Sequence, residues 1–173
     1  TMYAATTPAA LAELGRRLKD EGCEGVLISG GADARGQVPF RAHLEAMAGL
    51  KALGLEVIVH TGLVDAAGAR DLALAGVDQA LFDVIGDDET IRQVYGLPYT
   101  AADYERSLGH LREAGLAVAP HVVAGLHFGQ FRGEVRALEA IRRVGADVVV
   151  IVVLRPLRGS RMARTRPPAP EEV

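Results

Sequence analysis

Apolar, β-branched runs alternate with stretches of helical periodicity along the whole chain. Thr7 and Pro8 open the first helix, a hydroxyl N-cap followed by proline at the first helical position. Leu11, Leu14 and Leu18 then make one apolar stripe, and Gly22 stops it. Residues 26–29 read as a short strand running into Gly30 and Gly31. A polar loop leads to a helix over 40–53 closed by Gly54, a strand over 57–61, and a helix over 65–75 with Gly76 behind it. The pattern continues with a strand over 79–83 and a short helical turn over 88–94. Thr100 caps a helix reaching about residue 114, and Gly115 follows it. A strand over 118–124, a helix over 131–144 and an apolar strand over 148–154 complete the series.

Strand starts fall at 26, 57, 79, 118 and 148, so each strand-plus-helix unit takes about 20–40 residues. Repetition of helix, glycine, one or two residues and an apolar strand predicts successive right-handed βαβ crossovers. The fold class is therefore α/β, with parallel strands alternating with helices. A TIM-like (β/α) barrel and an open doubly wound sheet are the two candidate architectures. Residues 1–6 feed straight into a helix with no strand before it, and residues 167–173 read as a helix start. The expectation is a partial barrel, one domain over 1–173, incomplete at both ends.

Composition narrows the classes. The chain has 173 residues, 49% hydrophobic and only 5% aromatic, which suits a parallel sheet buried by helices. A net charge of −3 without a long basic run argues against a nucleic-acid partner. The arginine-rich tail over 155–166 reads as a solvated segment or a phosphate contact. No apolar stretch reaches the roughly 18–20 residues of a membrane span, so no membrane partner is expected and the cytoplasm is the default compartment. The longest apolar stretch, 148–154, has the length of a buried strand. The single cysteine, Cys23, rules out an internal disulfide and any cysteine cluster made by this chain alone.

Polar residues gather where strands end. The carboxyl ends carry Ser29, Gly30 and Gly31, then His60 and Thr61, then Asp83, then Gly125, Leu126 and His127, and finally Arg155. The opposite ends carry Glu24, Glu56, Asp78 and Asp147, which read as solvated turns. Ligands of α/β barrels and open parallel sheets bind beyond the carboxyl ends. Gly30 and Gly31 either expose backbone to a ligand or serve a tight turn. Gly125 either lets a flat ring approach or relieves crowding. Three histidines, His60, His121 and His127, raise a metal site, but His121 lies inside its strand and no HxH or HxxxH spacing occurs. No metal ligand is assigned. Asp83 holds a ribose hydroxyl or a substrate amine, or else caps the next turn; a carboxylate ending an apolar strand is costly without a partner. Arg155 is placed to balance a carboxylate or phosphate, and Cys23 reads as a small buried residue.

The run Gly25, Val26, Leu27, Ile28, Ser29, Gly30, Gly31, the strand ending at His60, and Asp83 together resemble the radical S-adenosylmethionine superfamily. So do Val122 through Leu126 and the stretch from Leu154 and Arg155 to Gly159 and Ser160. Pro156, Gly159 and Ser160 match the Pro-x-x-Gly-Thr/Ser turn of the biotin synthase, lipoyl synthase and hydrogenase-maturase-like branch. Asp87 to Arg92, Tyr95, Gly96, and Tyr104 to Leu108 resemble the same branch, and the likeness covers roughly 7–173.

The resemblance implies S-adenosylmethionine as cofactor and reductive cleavage at a 4Fe-4S cluster to a 5′-deoxyadenosyl radical. Ser29, Gly30 and Gly31 would receive the methionine end. His60 and Asp83 would line the cavity near ribose or substrate. Ala124, Gly125 and Leu126 would pack against adenine, and Leu154 and Arg155 would close the site. In the family an acidic residue often follows the glycine pair; here Ala32 stands there and Asp33 comes next. The cluster's CxxxCxxC loop is expected outside this segment, ahead of Thr1. An electron donor and a small-molecule or protein-bound substrate are the implied partners; by analogy the outcome is sulfur insertion of the lipoyl-synthase type, with rearrangement or methyl transfer in cofactor assembly standing beside it. No residue is assigned a catalytic role. Two alternatives stay open: a metal-dependent barrel hydrolase or aldolase using His60, Asp83 and His127, and a non-catalytic nucleotide-binding member.

Overall fold

The computed structural model describes residues 2–173; Thr1, the start of the expected irregular segment, lies outside them. Five parallel strands, β1 (Gly25–Ile28), β2 (Glu56–Thr61), β3 (Gln79–Asp83), β4 (Ala117–Ala124) and β5 (Val150–Val153), pair in the order of the sequence. Helices alternate with them: α1 (Pro8–Asp20), α2 (Leu44–Ala52), α3 (Ala66–Leu74), the single turn α4 (Asp88–Thr90), α5 (Ala101–Glu113) and α6 (Glu134–Val144). Sequential order with parallel pairing is what repeated crossovers of one hand produce, and the sheet curls into a half-barrel. The architecture is thus a partial TIM-like barrel.

Local chemistry sets the elements. The Thr7 hydroxyl accepts the Ala10 amide at 3.2 Å, and Pro8 begins α1. Thr100 caps α5 while Asp103 accepts its amide and hydroxyl, both at 2.8 Å. Gly76 and Gly115, at φ +77° and +84°, take the left-handed turns after α3 and α5. At Gly15 of α1, a Cβ would stand 1.9 Å from Leu50 Cδ2, so the missing side chain is what lets α1 lie against α2.

The core lies between the sheet and the helices. Val57 and Val59 of β2, Ala80 and Phe82 of β3, and Val118 and Val122 of β4 face Met47, Leu72, Leu108 and Leu111. Alternation then sends Ile58, His60, Leu81, Asp83 and His121 to the uncovered, concave face, where they are only half-buried.

Four segments differ from the sequence reading. The helix predicted over 40–53 is a 3₁₀ turn (Phe40–His43) followed by α2. The helix predicted from 131 starts at Glu134, because Gly133 at φ +105° breaks the approach and Glu134 binds back to the Arg132 amide at 2.6 Å. The apolar run over 148–154, read as a buried strand, is the exposed edge of the sheet: Ile151, Val152 and Val153 are 47%, 40% and 41% exposed. Among the described residues β5 pairs only with β4. The expected helix start over 167–173 is one 3₁₀ turn (Pro170–Glu172).

Candidate functional site

Three neighbouring strands bring three polar side chains together inside the barrel. Asp83 ends β3 and stands beside His121 in the β3–β4 register, while His60 lies one strand away on β2. Asp83 Oδ1 is 3.6 Å from His60 Nε2 and 3.6 Å from His121 Nδ1. The two imidazoles are tilted at 52°, with ring centroids 5.3 Å apart. Side-chain exposure is 26% for His60, 37% for Asp83 and 17% for His121, so the group is reachable from the lumen yet not bathed in solvent. Burial lowers the His121 pKa; the Asp83 carboxylate opposes this and His60 adds to it, leaving the ring below the usual histidine range. Burial also pushes the Tyr104 phenol up to about 12, with the Asp83 charge second, so it stays protonated.

The other expected site residues are arranged around this group unevenly. Ser29, Gly30 and Gly31 are exposed just beyond β1, and nothing lies within 4 Å of the position a Cβ on Gly31 would take. Asp33 does not face that edge freely: its Oδ1 accepts the Arg35 and Gln37 amides at 2.8 and 3.0 Å. Those two backbone bonds, Gln37 first, hold its carboxyl below the ordinary range. The same loop is fastened over the end of β2, where the Leu63 amide donates to the Gly36 carbonyl at 3.0 Å.

Ala124 and Gly125 are buried, and Leu126 is half-buried. Gly125 sits at φ +75° with its amide donated to Glu134 Oε1 at 2.9 Å. Its open face is covered by Pro168, whose Cγ would lie 2.4 Å from an added Cβ. The Leu154 amide donates to the Ala124 carbonyl at 3.0 Å, and Arg155 is exposed, with no ion pair among the described residues.

His127 is elsewhere. It is buried, with Nδ1 3.0 Å from Thr90 Oγ1, and the Thr90 hydroxyl donates to Asp87 Oδ2 at 2.7 Å. This corrects both histidine groupings considered from the sequence, the set of His60, His121 and His127 and the set of His60, Asp83 and His127. The residue that joins His60 and Asp83 is His121, which strand-interior position had set aside. Parity was the available signal: Val122 and Ala124 are buried against the helices, so His121 and Val123 face the lumen.

No family model matches the sequence, and no curated protein matches it. Solved structures do match, and they share the partial barrel. One is methylornithine synthase (PylB), with a TM-score of 0.73 and 18% identity over 91% of this chain and 47% of that one. Another is HydG, a maturase of the FeFe hydrogenase, at 0.68 and 15% over 95% of this chain and 40% of that one. A third is coproporphyrinogen III oxidase (HemN) from Escherichia coli, a radical SAM enzyme, at 0.64 and 14% over 94% and 41%. The chain spans less than half the length of each of these proteins. What they share with it, at these identities, is the fold.

Proposed function

We propose that this chain is the core barrel segment of a radical S-adenosylmethionine enzyme, with the cofactor lying across the carboxyl ends of β1 to β5. The observation that carries the reading is the exposed Ser29–Gly30–Gly31 edge beyond β1, at the same end of the sheet as His60 on β2 and Asp83 on β3, in a barrel fold shared with a radical SAM enzyme. The edge fits the cofactor's methionine end, since bare backbone and one hydroxyl offer donors and acceptors without side-chain bulk. His60 and Asp83 line the lumen, where they orient ribose or substrate hydroxyls. Ala124 and Leu126 flank the adenine position, with Pro168 over Gly125 as its present neighbour. Leu154 and Arg155 close the far side. When bound, S-adenosylmethionine supplies a cleavable sulfonium and, through it, a 5′-deoxyadenosyl radical.

The 4Fe-4S cluster does not fit the donors of this segment. Such clusters are held by several thiolates, and Cys23 is the single cysteine, placed ahead of β1 at the opposite end of the strands. No step is assigned to the cluster here; its ligands would come from another part of the protein. Sulfur insertion of the lipoyl-synthase type, on a small-molecule or protein-bound substrate in the cytoplasm with a separate electron donor, is the reaction we favour.

The test is anaerobic reconstitution of the full-length protein, followed by assay of 5′-deoxyadenosine under reducing conditions. Wild-type protein should form it, and Gly31→Val should weaken cofactor binding in equilibrium dialysis. Absence of the product with a loaded cluster would sink the enzyme reading, and retained nucleotide binding without turnover would favour the non-catalytic alternative.

A further inference from the structure

We propose that His60, Asp83 and His121 together bind a first-row divalent cation, Zn2+ or Fe2+, inside the barrel, with an open coordination position for a substrate heteroatom. The separations argue for it. At 3.6 Å both imidazole nitrogens are too far from Asp83 Oδ1 for a hydrogen bond. Two ligands bound at about 2.0–2.2 Å in a tetrahedral complex stand roughly 3.4 Å apart, so the two 3.6 Å separations leave room for a cation shared with Asp83. One ligand atom from each of the three lies within 4.8 Å of the others.

Their lone pairs are also uncommitted. Among the described residues no hydrogen bond within 3.5 Å engages the side chain of His60, Asp83 or His121, whereas Asp87, the N-cap of α4, accepts from Thr90 and Arg132. Each residue rides on a different strand of one sheet, so the backbone fixes the spacing before any ion arrives. Two imidazoles and a carboxylate suit zinc or ferrous iron better than calcium or magnesium, which prefer oxygen. Three protein ligands leave at least one position facing the lumen, the arrangement of a cation that holds substrate. A substrate carboxylate, hydroxyl or thiol would fill it.

The proposal does not depend on the radical reading. Zn2+ is titrated calorimetrically into the full-length protein without S-adenosylmethionine, with iron measured before and after to detect exchange at any cluster. Wild-type protein should take up one equivalent at this site, and Cys23→Ser should keep it. His121→Gln and Asp83→Asn preserve size and polarity; each should weaken binding by more than the ~10–100-fold typical of outer-shell changes, with circular dichroism confirming the fold. X-ray absorption of the zinc-loaded wild type should show two imidazoles, whatever the variants do. No uptake by the wild type, unchanged affinity in the folded variants, or a zinc shell without two imidazoles each overturns the proposal. Loss of cofactor binding with zinc uptake intact would overturn the functional reading and leave this one standing.

Discussion

Asp78 Oδ2 accepts the Val57 amide at 2.7 Å, so the residue that precedes β3 fixes the start of β2. Lys51, in the last turn of α2, holds the other oxygen at 2.7 Å. The device recurs two strands on: Asp147 Oδ2 accepts the Val118 amide at 2.9 Å and pairs with Arg112 of α5 at 2.7 Å. Asp78→Ala should destabilise the fold by about 1–3 kcal/mol, chiefly through the unpaired, buried Val57 amide; the half-exposed ion pair adds little. Urea denaturation measures this, and a change within error would show that water replaces the carboxylate.

The same carboxylate carries a pH dependence. Burial pushes the Asp78 pKa up, but the Lys51 ammonium and the Val57 amide outweigh it, so the net value lies below 3.8. A lowered folded value means the stabilisation is complete well above pH 3.8 and is lost as pH falls through that value toward the folded one. Asp78→Asn should flatten this part of the stability–pH curve. An unchanged curve in the variant would assign the acid sensitivity to other carboxylates.

Ser107 of α5 clamps the segment after β2. Its buried hydroxyl accepts the Val64 amide at 2.7 Å and donates to the Val64 carbonyl at 3.0 Å. Ser107→Ala leaves both backbone groups unpaired and should cost about 1–3 kcal/mol. Hydrogen exchange at Val64 should accelerate more than exchange in β4; uniform acceleration would indicate a purely global effect.

Gly125→Ala meets two penalties, a backbone at φ +75° and a Cβ within 2.5 Å of two Pro168 ring carbons. The expected destabilisation is about 1–3 kcal/mol for the backbone alone. Adding Pro168→Ala should recover the collision part and leave the backbone part. If the double variant is no better than the single one, Pro168 is not in the way.

Thr90 has one hydroxyl proton and gives it to Asp87, so the His127 contact needs its hydrogen on Nδ1. Nitrogen-15 spectra of the neutral ring should show the Nδ1–H tautomer, and Thr90→Val should shift the population toward Nε2–H. An Nε2–H ring in the wild type would reverse the direction assigned to this bond.

Elements with local causes were readable from the sequence. Thr7, Pro8, Gly76, Gly115 and the alternation in β2 announce themselves within a few residues. What depends on distant partners did not show. Asp78 and Asp147 read as solvated turns because the amides they hold are 21 and 29 residues away. The run over 148–154 carries no polar residue, hence no parity, and a uniform apolar run looks buried whichever side faces solvent. His60 and Asp83 were visible as strand ends; His121 became part of the site only once register set it beside Asp83. The Pro168 cover over Gly125 joins positions 43 residues apart and no pattern predicts it.

The sequential strand order has a kinetic consequence. Every pairing joins a strand to the next one in the chain, so each contact closes a loop of one crossover and none waits for a distant partner. Loops of that size close at modest entropic cost. The sheet can therefore grow one unit at a time as the chain is synthesised, each new strand docking on the edge left by the one before. At each stage that edge is the adhesive surface of the nascent protein, and in the described residues it is the Val150–Val153 strand.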